Sequence, residues 1–416
     1  MSDVSPFSGI FVNGHRGMAV AGPMPLRGAL GTKGLAMFDH DHISEAVAWR
    51  HDLHRHPELG FQEHRTSALI AGLLEGWGWR VHHGLAGTGV VAQLGQGGRS
   101  VGLRSDIDAL PIEEATGLPH ASVNAGRMHA CGHDGHTAML LLAARQLAAE
   151  GVKGGTVNLI FQPAEENDGG ARVMIEDGLF REFAIDTVFG IHNWPGLKPG
   201  QFVARDGDMM AAFAVFEIEI AGRGSHAAMP EQGDGVVAAA ARIADALQEL
   251  PARRLSPLDP GVVSVTQIHT GSAWNVCPDR AILRGTVRWF APAAGDVLET
   301  RLSEVVHGIA AAHGCTGRVD YQRRYPATIN DPEQAALARD VAARMGLELP
   351  AATASMASED FAFMLNERPG AYMWLGAGRE GENPGLHNPR FDFNDVILPT
   401  GAEMWVRLAR QAITGS

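Results

Sequence analysis

The feature that most constrains the fold is a regular alternation of strand and helix patterns in the first half of the chain. Short apolar runs typical of buried strands begin at Gly89, Ser100, Thr156 and Thr187, and an apolar helical run covers residues 134–150. Strands that alternate with helices predict a largely parallel α/β sheet. Ligands of such sheets bind at the carboxyl ends of the strands, so we expect functional side chains there.

Polar side chains follow three of these strands at the point where each one ends. Asp106 and Asp108 follow the second run, Glu165 and Glu166 follow the third, and His192 follows the fourth. An aspartate after a strand can simply cap a turn, and two adjacent glutamates can form a solvated acidic loop. The functional alternative is that one glutamate binds a metal while the other is a general base, and that Asp108 orients a ligating imidazole.

One ten-residue segment, Met128-His-Ala-Cys-Gly-His-Asp-Gly-His-Thr, contains a thiol, three imidazoles and a carboxylate. Cys131 and His133 form a ligand pair that suits zinc, manganese or cobalt. The segment leads into the apolar helix, and the N-terminus of a helix favours a thiolate. A buried inert cysteine among surface histidines is the ordinary alternative, but the density of the cluster favours a metal site.

The pattern changes near residue 207, where glutamate and isoleucine begin to alternate as in a half-exposed antiparallel strand. The elements that follow have the order β-α-β-β-α-β of a ferredoxin-like unit, so we predict an inserted satellite domain at 208–324. The flanks, 41–207 and 325–416, then form one discontinuous catalytic domain. Residues 1–40 show no sustained periodicity and are predicted to be a loose arm.

Loops outside the first half carry further polar residues. His226 and Asn275 lie in glycine-containing loops of the insert, together with Asp279. From composition alone, His226 is a solvated histidine, and Asn275 and Asp279 make turns. His387 follows a glycine-rich loop near the C-terminus and is a further candidate metal ligand.

Two helix starts are predicted from N-cap patterns. Ser44 is a candidate N-cap for a first helix that Pro57 stops, and Ser358 is a candidate N-cap for a helix that opens with Ser358-Glu-Asp-Phe.

Composition limits the possible partners and location. The 416 residues carry a net charge of -13, which argues against nucleic acid and anionic membrane surfaces as partners. No apolar run is long enough to span a membrane, and the first residues lack the pattern of a secretory signal. Three cysteines are too few for a disulfide framework and indicate reduced thiols. We therefore expect a cytoplasmic protein.

The chain resembles the metal-dependent aminoacylase and carboxypeptidase superfamily, in particular the branch of hippurate hydrolases, N-acyl-amino-acid amidohydrolases and plant auxin-conjugate hydrolases. The resemblance runs from about residue 43 to the C-terminus and rests on eight motifs. These are Arg55-His-Pro-Glu-Leu-Gly, Arg104-Ser-Asp-Ile-Asp-Ala-Leu-Pro, His129-Ala-Cys-Gly-His-Asp-Gly-His, Phe161-Gln-Pro-Ala-Glu-Glu, Gly190-Ile-His-Asn, Gly222-Arg-Gly-Ser-His-Ala-Ala-Met-Pro, Ser358-Glu-Asp-Phe and Leu386-His-Asn.

The resemblance implies a role for each candidate residue. Glu165 would be the general base, Asp108 a supporting residue, and Asn275 a substrate contact. His226 would reach from the satellite domain of a partner subunit and polarise the scissile carbonyl. The ligands of two divalent metal ions per subunit, Mn, Zn or Co, would be Cys131, His133, Glu166, His192 and His387.

The activity implied is hydrolysis of the amide bond of N-acyl amino acids by a homodimer or homotetramer that associates through the satellite domain. A dipeptidase or carboxypeptidase of the same superfamily is the alternative within this class. Outside it, the alternatives are a metal-binding protein without catalysis and a thiol hydrolase based on Cys131. Glu165 argues against the first, because a structural metal site needs no free carboxylate beside a ligating one.

Overall fold

The computed structural model describes residues 37–166 and 169–414, and the rest of the predicted N-terminal arm lies outside the described residues. Most of the buried apolar side chains form one large core on one face of the main sheet and a smaller cluster on its other face. A separate core lies within the stretch from Ala212 to Ala327. The domain boundaries at 208 and 324 stay a prediction, since the two cores mark only where the packing changes.

The elements before the second core alternate between helix and strand. In chain order they are α1 (His40–Arg55), α2 (His64–Gly76), β1 (Arg80–Leu85), β2 (Gly89–Gly95), β3 (Arg99–Asp106), α3 (His133–Glu150), β4 (Gly155–Gln162), α4 (Gly170–Glu176), α5 (Leu179–Glu182), β5 (Thr187–Trp194), β6 (Phe202–Val203) and β7 (Gly207–Met210).

The remaining elements form the second core and then return to the first. They are β8 (Ala212–Ala221), β9 (Ser225–His226), α6 (Val236–Arg254), β10 (Gly261–Thr270), β11 (Val276–Cys277), β12 (Arg280–Trp289), α7 (Pro292–Ala312), β13 (Thr316–Tyr325), β14 (Thr328–Asn330), α8 (Pro332–Arg344), α9 (Ala362–Glu367), β15 (Gly370–Gly376) and α10 (Leu398–Thr414).

The main sheet has seven strands in the order β1-β2-β4-β3-β5-β15-β6. Its centre is parallel, because β4, β3, β5 and β15 pair in the same direction. The edges are antiparallel, since β2 pairs antiparallel with both β1 and β4, and β6 with β15. The predicted α/β class is confirmed, with a mixed rather than uniformly parallel sheet. The parallel centre brings the ends of β3, β4 and β5 to one rim.

The second core is a four-stranded antiparallel sheet in the order β10-β12-β8-β13. Buried positions alternate with more accessible ones along β8 and β12, and α6 and α7 cover the buried face. This arrangement is the predicted ferredoxin-like unit. The strand β10 lies at the edge of the sheet and exposes the apolar side chains of Val262 and Ile268.

Two predicted helix starts are wrong. The first helix begins at His40, because the carboxylate of Asp39 accepts the hydrogen bond from the backbone N–H of His42, and Ser44 lies inside the helix. Ser358 caps no helix, since α9 begins at Ala362 without a side-chain cap. In residues 37–166 and 169–414 no helix is long and apolar enough to cross a membrane.

Candidate metal centre and active site

The start of α3 places the thiol and the first imidazole. Gly132 has a φ of +94°, in the left-handed region, and a Cβ there would lie 2.3 Å from Asn193 Oδ1, so glycine is required at this turn. Cys131 and His133 flank Gly132, and both side chains are buried. The Sγ of Cys131 lies 3.3 Å from the Nε2 of His192, which the end of β5 supplies.

Asp108 orients both an imidazole and the turn after β4. Its Oδ1 lies 3.2 Å from His133 Nδ1, and its Oδ2 accepts a hydrogen bond of 2.9 Å from the backbone N–H of Glu166. The Nδ1 of His133 is thereby directed at Asp108, which leaves the Nε2 pointing into the site. These contacts agree with a supporting role for Asp108, which stays a prediction.

His387 reaches the same site from the loop before α10. Its backbone N–H donates a hydrogen bond of 2.8 Å to the carbonyl of Ala130, next to Cys131. Its Nε2 lies 3.2 Å from Glu166 Oε1, and its side chain is half-exposed. The loop is thus tied to the segment before α3, and His387 is at the open side of the site.

The structure brings together all six residues predicted as metal ligands or base. In each of three overlapping groups the ligand atoms lie within 4.8 Å of one another. These groups are Cys131 with His133 and His192, Cys131 with Glu166 and His387, and His133 with Glu165 and Glu166.

The side chains present fit metal ions. His133 Nε2 and Glu166 Oε1 are buried and make no hydrogen bond among the described residues, although His387 Nε2 lies 3.2 Å from that oxygen. Unpaired buried polar atoms are costly, and a cation between them would satisfy both. Thiolate, imidazole and carboxylate are donors that zinc, manganese and cobalt accept.

The protonation of the site depends on cations. Burial and the carboxylates of Glu166, Glu165 and Asp106 raise the pKa of the Cys131 thiol well above its usual value. The N-terminus of α3 therefore does not by itself secure the expected thiolate, and a bound cation would be needed. Burial, followed by the charges of Glu359 and Glu166, also raises the pKa of Glu165 well above its usual value.

A buried ionic network that the sequence analysis missed lies beside the site. The guanidinium of Arg104 contacts Asp106 at 2.8 Å, Glu359 at 2.9 Å and Asp360 at 3.1 Å. Asp106 also contacts His136 Nδ1 at 2.6 Å. One signal was available, because Arg104 is a charged residue in a strand predicted to be buried, and Asp106 follows it by two positions. The contribution of Glu359 and Asp360 had no such signal, since they lie about 250 residues away.

His226 and Asn275 are together in the satellite domain but apart from the metal ligands. The short strands β9 and β11 pair with each other, and His226 lies opposite Val276. Ala227 N–H donates a hydrogen bond of 2.9 Å to the backbone carbonyl of Asn275. Both side chains are exposed and line a cavity of about 800 Å³. None of their described contacts reaches Cys131 or Glu165 in this chain. Asp279 follows shortly after Asn275, and its backbone carbonyl accepts a hydrogen bond of 2.9 Å from Gly222 N–H.

Comparisons with known proteins agree with this geometry. A sequence profile described as peptidase family M20/M25/M40 matches residues 102–411. A hippurate hydrolase of Campylobacter jejuni is 40% identical over 366 residues, which cover 86% of this chain and 94% of that protein. An IAA-amino acid hydrolase of Arabidopsis thaliana is 36% identical over 380 residues, covering 89% and 86% of the two chains.

A solved structure has a fold similar to that of this chain. The crystal structure of a Bacillus subtilis protein, described as a dinuclear metal binding peptidase from the M20 family, matches with a TM-score of 0.78 and 35% identity. The match covers 90% of this chain and 99% of that one. The resemblance found in the motifs is thus confirmed along most of the chain.

Proposed function

Since the chain belongs to peptidase family M20/M25/M40, we propose that it hydrolyses the amide bond of hippurate-like N-acyl amino acids, releasing a carboxylic acid and a free amino acid. The relatives that support this substrate class include a hippurate hydrolase and an IAA-amino acid hydrolase. The observation that carries the proposal is the buried carboxylate of Glu165 in one group with the candidate ligands His133 and Glu166.

The site holds two divalent metal ions, for which we propose Mn, Zn or Co. The proposed ligands are Cys131, His133, Glu166, His192 and His387. When bound, the ions would polarise the scissile carbonyl and lower the pKa of the attacking water.

Glu165 is the proposed general base. It takes a proton from the attacking water and later gives that proton to the leaving amine, which becomes the free amino acid. Burial and the neighbouring Glu359 favour the protonated carboxyl, so they help Glu165 to hold the proton between the two steps. Asp108 keeps the base in place indirectly, since it fixes the next peptide unit at Glu166 N–H.

His226 is the proposed group that stabilises the developing negative charge on the carbonyl oxygen. Its Nδ1 accepts a hydrogen bond of 3.1 Å from Ala228 N–H, so a neutral ring carries its proton on Nε2. That Nε2–H is free to donate to an oxyanion. Asn275, on the same cavity wall, is the proposed partner for a polar group of the substrate.

We propose that His226 acts in the site of a partner subunit within a homodimer, or within a homotetramer built from such dimers. The exposure of His226 supports this arrangement, as do its described contacts, none of which reaches Cys131 of the same chain. The edge strand β10 also supports it, because the exposed Val262 and Ile268 would be buried by a second copy. A cytoplasmic location remains part of the proposal and is supported by three free cysteines.

A panel of substrates tests the proposed function. Hippurate and other N-acyl amino acids are assayed beside dipeptides with free amines, each with chelated enzyme and with enzyme reloaded with Mn, Co or Zn. We expect faster turnover of the acylated substrates and dependence on added metal. Faster cleavage of free dipeptides would favour the dipeptidase alternative, and no cleavage at all would favour metal binding without catalysis.

An alkylating reagent tests the thiol hydrolase alternative. Metal-loaded enzyme should keep its activity after treatment, since Cys131 is 7% exposed and would be occupied as a ligand. Loss of activity by alkylation of Cys131 with both ions still bound would favour the thiol mechanism.

A further inference from the structure

The turn that carries Glu165 has a backbone conformation that needs support. The chain leaves β4 at Gln162, and Ala164 then adopts a φ of +54°. Residues with a Cβ rarely adopt this left-handed conformation and keep it only when the surroundings impose it. Ala164 and Glu165 are both buried, so the support must come from neighbouring protein groups.

Glu63 supports the turn on one side. It precedes α2 and is fully buried, and its Oε1 accepts a hydrogen bond of 2.9 Å from Ala164 N–H. Its Oε2 accepts a second hydrogen bond of 2.6 Å from Thr88 Oγ1, which fixes the carboxylate. Among the described residues, Glu63 belongs to none of the groups that could hold a metal ion. Its contacts are therefore those of a residue that positions the backbone.

Tyr325 supports the turn on the other side. Its hydroxyl donates a hydrogen bond of 2.6 Å to the backbone carbonyl of Glu165. The ring is fixed between Phe213 and Phe363, with centroid distances of 5.9 and 6.2 Å. Tyr325 ends β13, a strand of the satellite sheet, so this hydrogen bond connects the second core directly to the turn of the base.

Two other groups hold the peptide units on either side of Glu165. Gly170 N–H donates to the Ala164 carbonyl at 2.9 Å, and Glu166 N–H donates to Asp108 Oδ2 at the same distance. Asp108 thus accounts for the placement of the ligand Glu166. Tyr325 holds the carbonyl of the same peptide unit that Asp108 holds at its N–H, and Glu63 holds the residue before the base, Ala164, at its own N–H.

We propose that Glu63 and Tyr325 are positioning residues that hold the general base Glu165 between them, one through Ala164 N–H and the other through the Glu165 carbonyl. The inference rests on the proposed role of Glu165. A base displaced by a fraction of an ångström transfers protons more slowly, although substrate and metal still bind. Loss of either hydrogen bond should therefore lower kcat and leave KM and metal content nearly unchanged.

Tyr325→Phe is the first test, because it removes only the hydroxyl. We expect kcat to fall about 10-fold while KM stays within about 2-fold of wild type and both ions remain bound. Tyr321→Phe is the matched control, since Tyr321 lies on the same strand and its hydroxyl has no hydrogen-bond partner among the described residues. The control should keep the wild-type kcat.

Glu63 variants provide a second test, in which an additional substitution should restore part of the lost kcat. Glu63→Gln can still accept from Ala164 N–H and should stay within about 3-fold of wild-type kcat, whereas Glu63→Ala should lose about 10-fold. Adding Ala164→Gly to Glu63→Ala should recover about 3-fold or more, because glycine adopts the left-handed conformation without support. A role of Glu63 in core packing alone would not be relieved by this second change.

Glu165→Gln, measured beside these variants, separates the two proposals. If Glu165→Gln is inactive while Tyr325→Phe matches wild type, or if Ala164→Gly recovers nothing, the positioning role is wrong and the base assignment stands. Loss of metal together with activity in Tyr325→Phe would also overturn the positioning role. If Glu165→Gln keeps full activity with both ions bound, the base assignment itself fails. Should Glu63→Ala not fold, the Tyr325→Phe comparison decides.

Discussion

At the residue scale, the thiol of Cys131 is held in surroundings that oppose its ionisation. Burial and three nearby carboxylates raise its pKa, so a cation must supply the charge that stabilises a thiolate. The same carboxylates attract such a cation. Binding of the metal and loss of the thiol proton are therefore linked.

This linkage predicts the behaviour of Cys131→Ser. A serine hydroxyl is a much poorer ligand than a thiolate, so the variant should lose bound metal and turnover, and the metal affinity of the wild type should fall as the pH is lowered. Elemental analysis and hippurate assays measure both. Cys315→Ser, in the second core, is the control and should keep both ions. A Cys131→Ser variant with full metal content and full turnover would refute the ligand assignment.

A buried histidine behind the site predicts a dependence of stability on pH. His54 contacts Asp134 at 2.8 Å, and although burial lowers its pKa, Asp134 and Glu114 raise the pKa to about 9. The charged ring is favoured in the folded state, so its contribution is complete below the unfolded pKa of about 6.5 and is lost as the pH rises through about 9.

Urea unfolding of the metal-free protein checks this expectation. His54→Gln should be less stable than wild type by on the order of 3 kcal/mol at pH 6, and the difference should shrink by pH 9.5. The exposed His83 provides the control His83→Gln, which should change the free energy of unfolding little. A difference for His54→Gln that grows with pH would contradict the assignment.

Residues at strand ends could be predicted, because strand periodicity and the parallel sheet rule together place Asp108, Glu165, Glu166 and His192 on one rim. Residues whose role depends on a distant partner could not. Tyr325 contacts the Glu165 carbonyl from 160 positions away, and no local pattern indicates such a contact.

At the scale of elements, the first turn of α3 determines the geometry of the site. It carries His133 and packs so closely on the loop after β15 that a Cβ at Gly135 would lie 2.2 Å from the ring of Phe393. Glycine is required there because of this approach rather than because of its conformation. The N-cap pattern at Ser44 failed because Asp39, five residues earlier, caps α1, and the pattern at Ser358 failed because α9 begins only at Ala362.

Gly135→Ala therefore should shift the start of α3. We expect a loss of stability of about 1–3 kcal/mol from overpacking, together with weaker metal binding. The control is Gly308→Ala in α7, where a Cβ would meet nothing within 4 Å, and this change should stabilise the helix by up to about 1 kcal/mol. Thermal unfolding with measured metal content checks both. Equal effects of the two substitutions would show that the contact with Phe393 is unimportant.

At the scale of the whole molecule, the proposed catalytic groups are divided between two cores. Glu165 and the proposed metal ligands lie at the rim of the main sheet, whereas His226 lies in the separate two-stranded pair of β9 and β11, and Asn275 lies just before β11. The fold class and both sheets could be predicted from periodicity. How two copies would associate could not be predicted from periodicity, because strand and helix patterns describe one chain.

Mixed dimers test the proposed exchange of His226 between subunits. An isologous dimer of His226→Ala with Glu165→Gln contains one site with both defects and one site with neither. Random pairing after equal co-expression makes about half of the dimers mixed, so about a quarter of wild-type activity per site should return. Mixed dimers that are present but inactive would place His226 in the site of its own chain or outside catalysis.

The most direct test of the account compares two adjacent glutamates in hippurate hydrolysis, with metal content measured on the same samples. Glu165→Gln should keep both ions and lose about 10²-fold or more in kcat, because it removes the base and spares the ligands. Glu166→Gln should instead bind less metal, because it removes a ligand. Equal metal content and equal turnover in the two variants, or wild-type turnover by Glu165→Gln with both ions bound, would contradict the assignment of Glu165 as the base of a metal-dependent amidohydrolase.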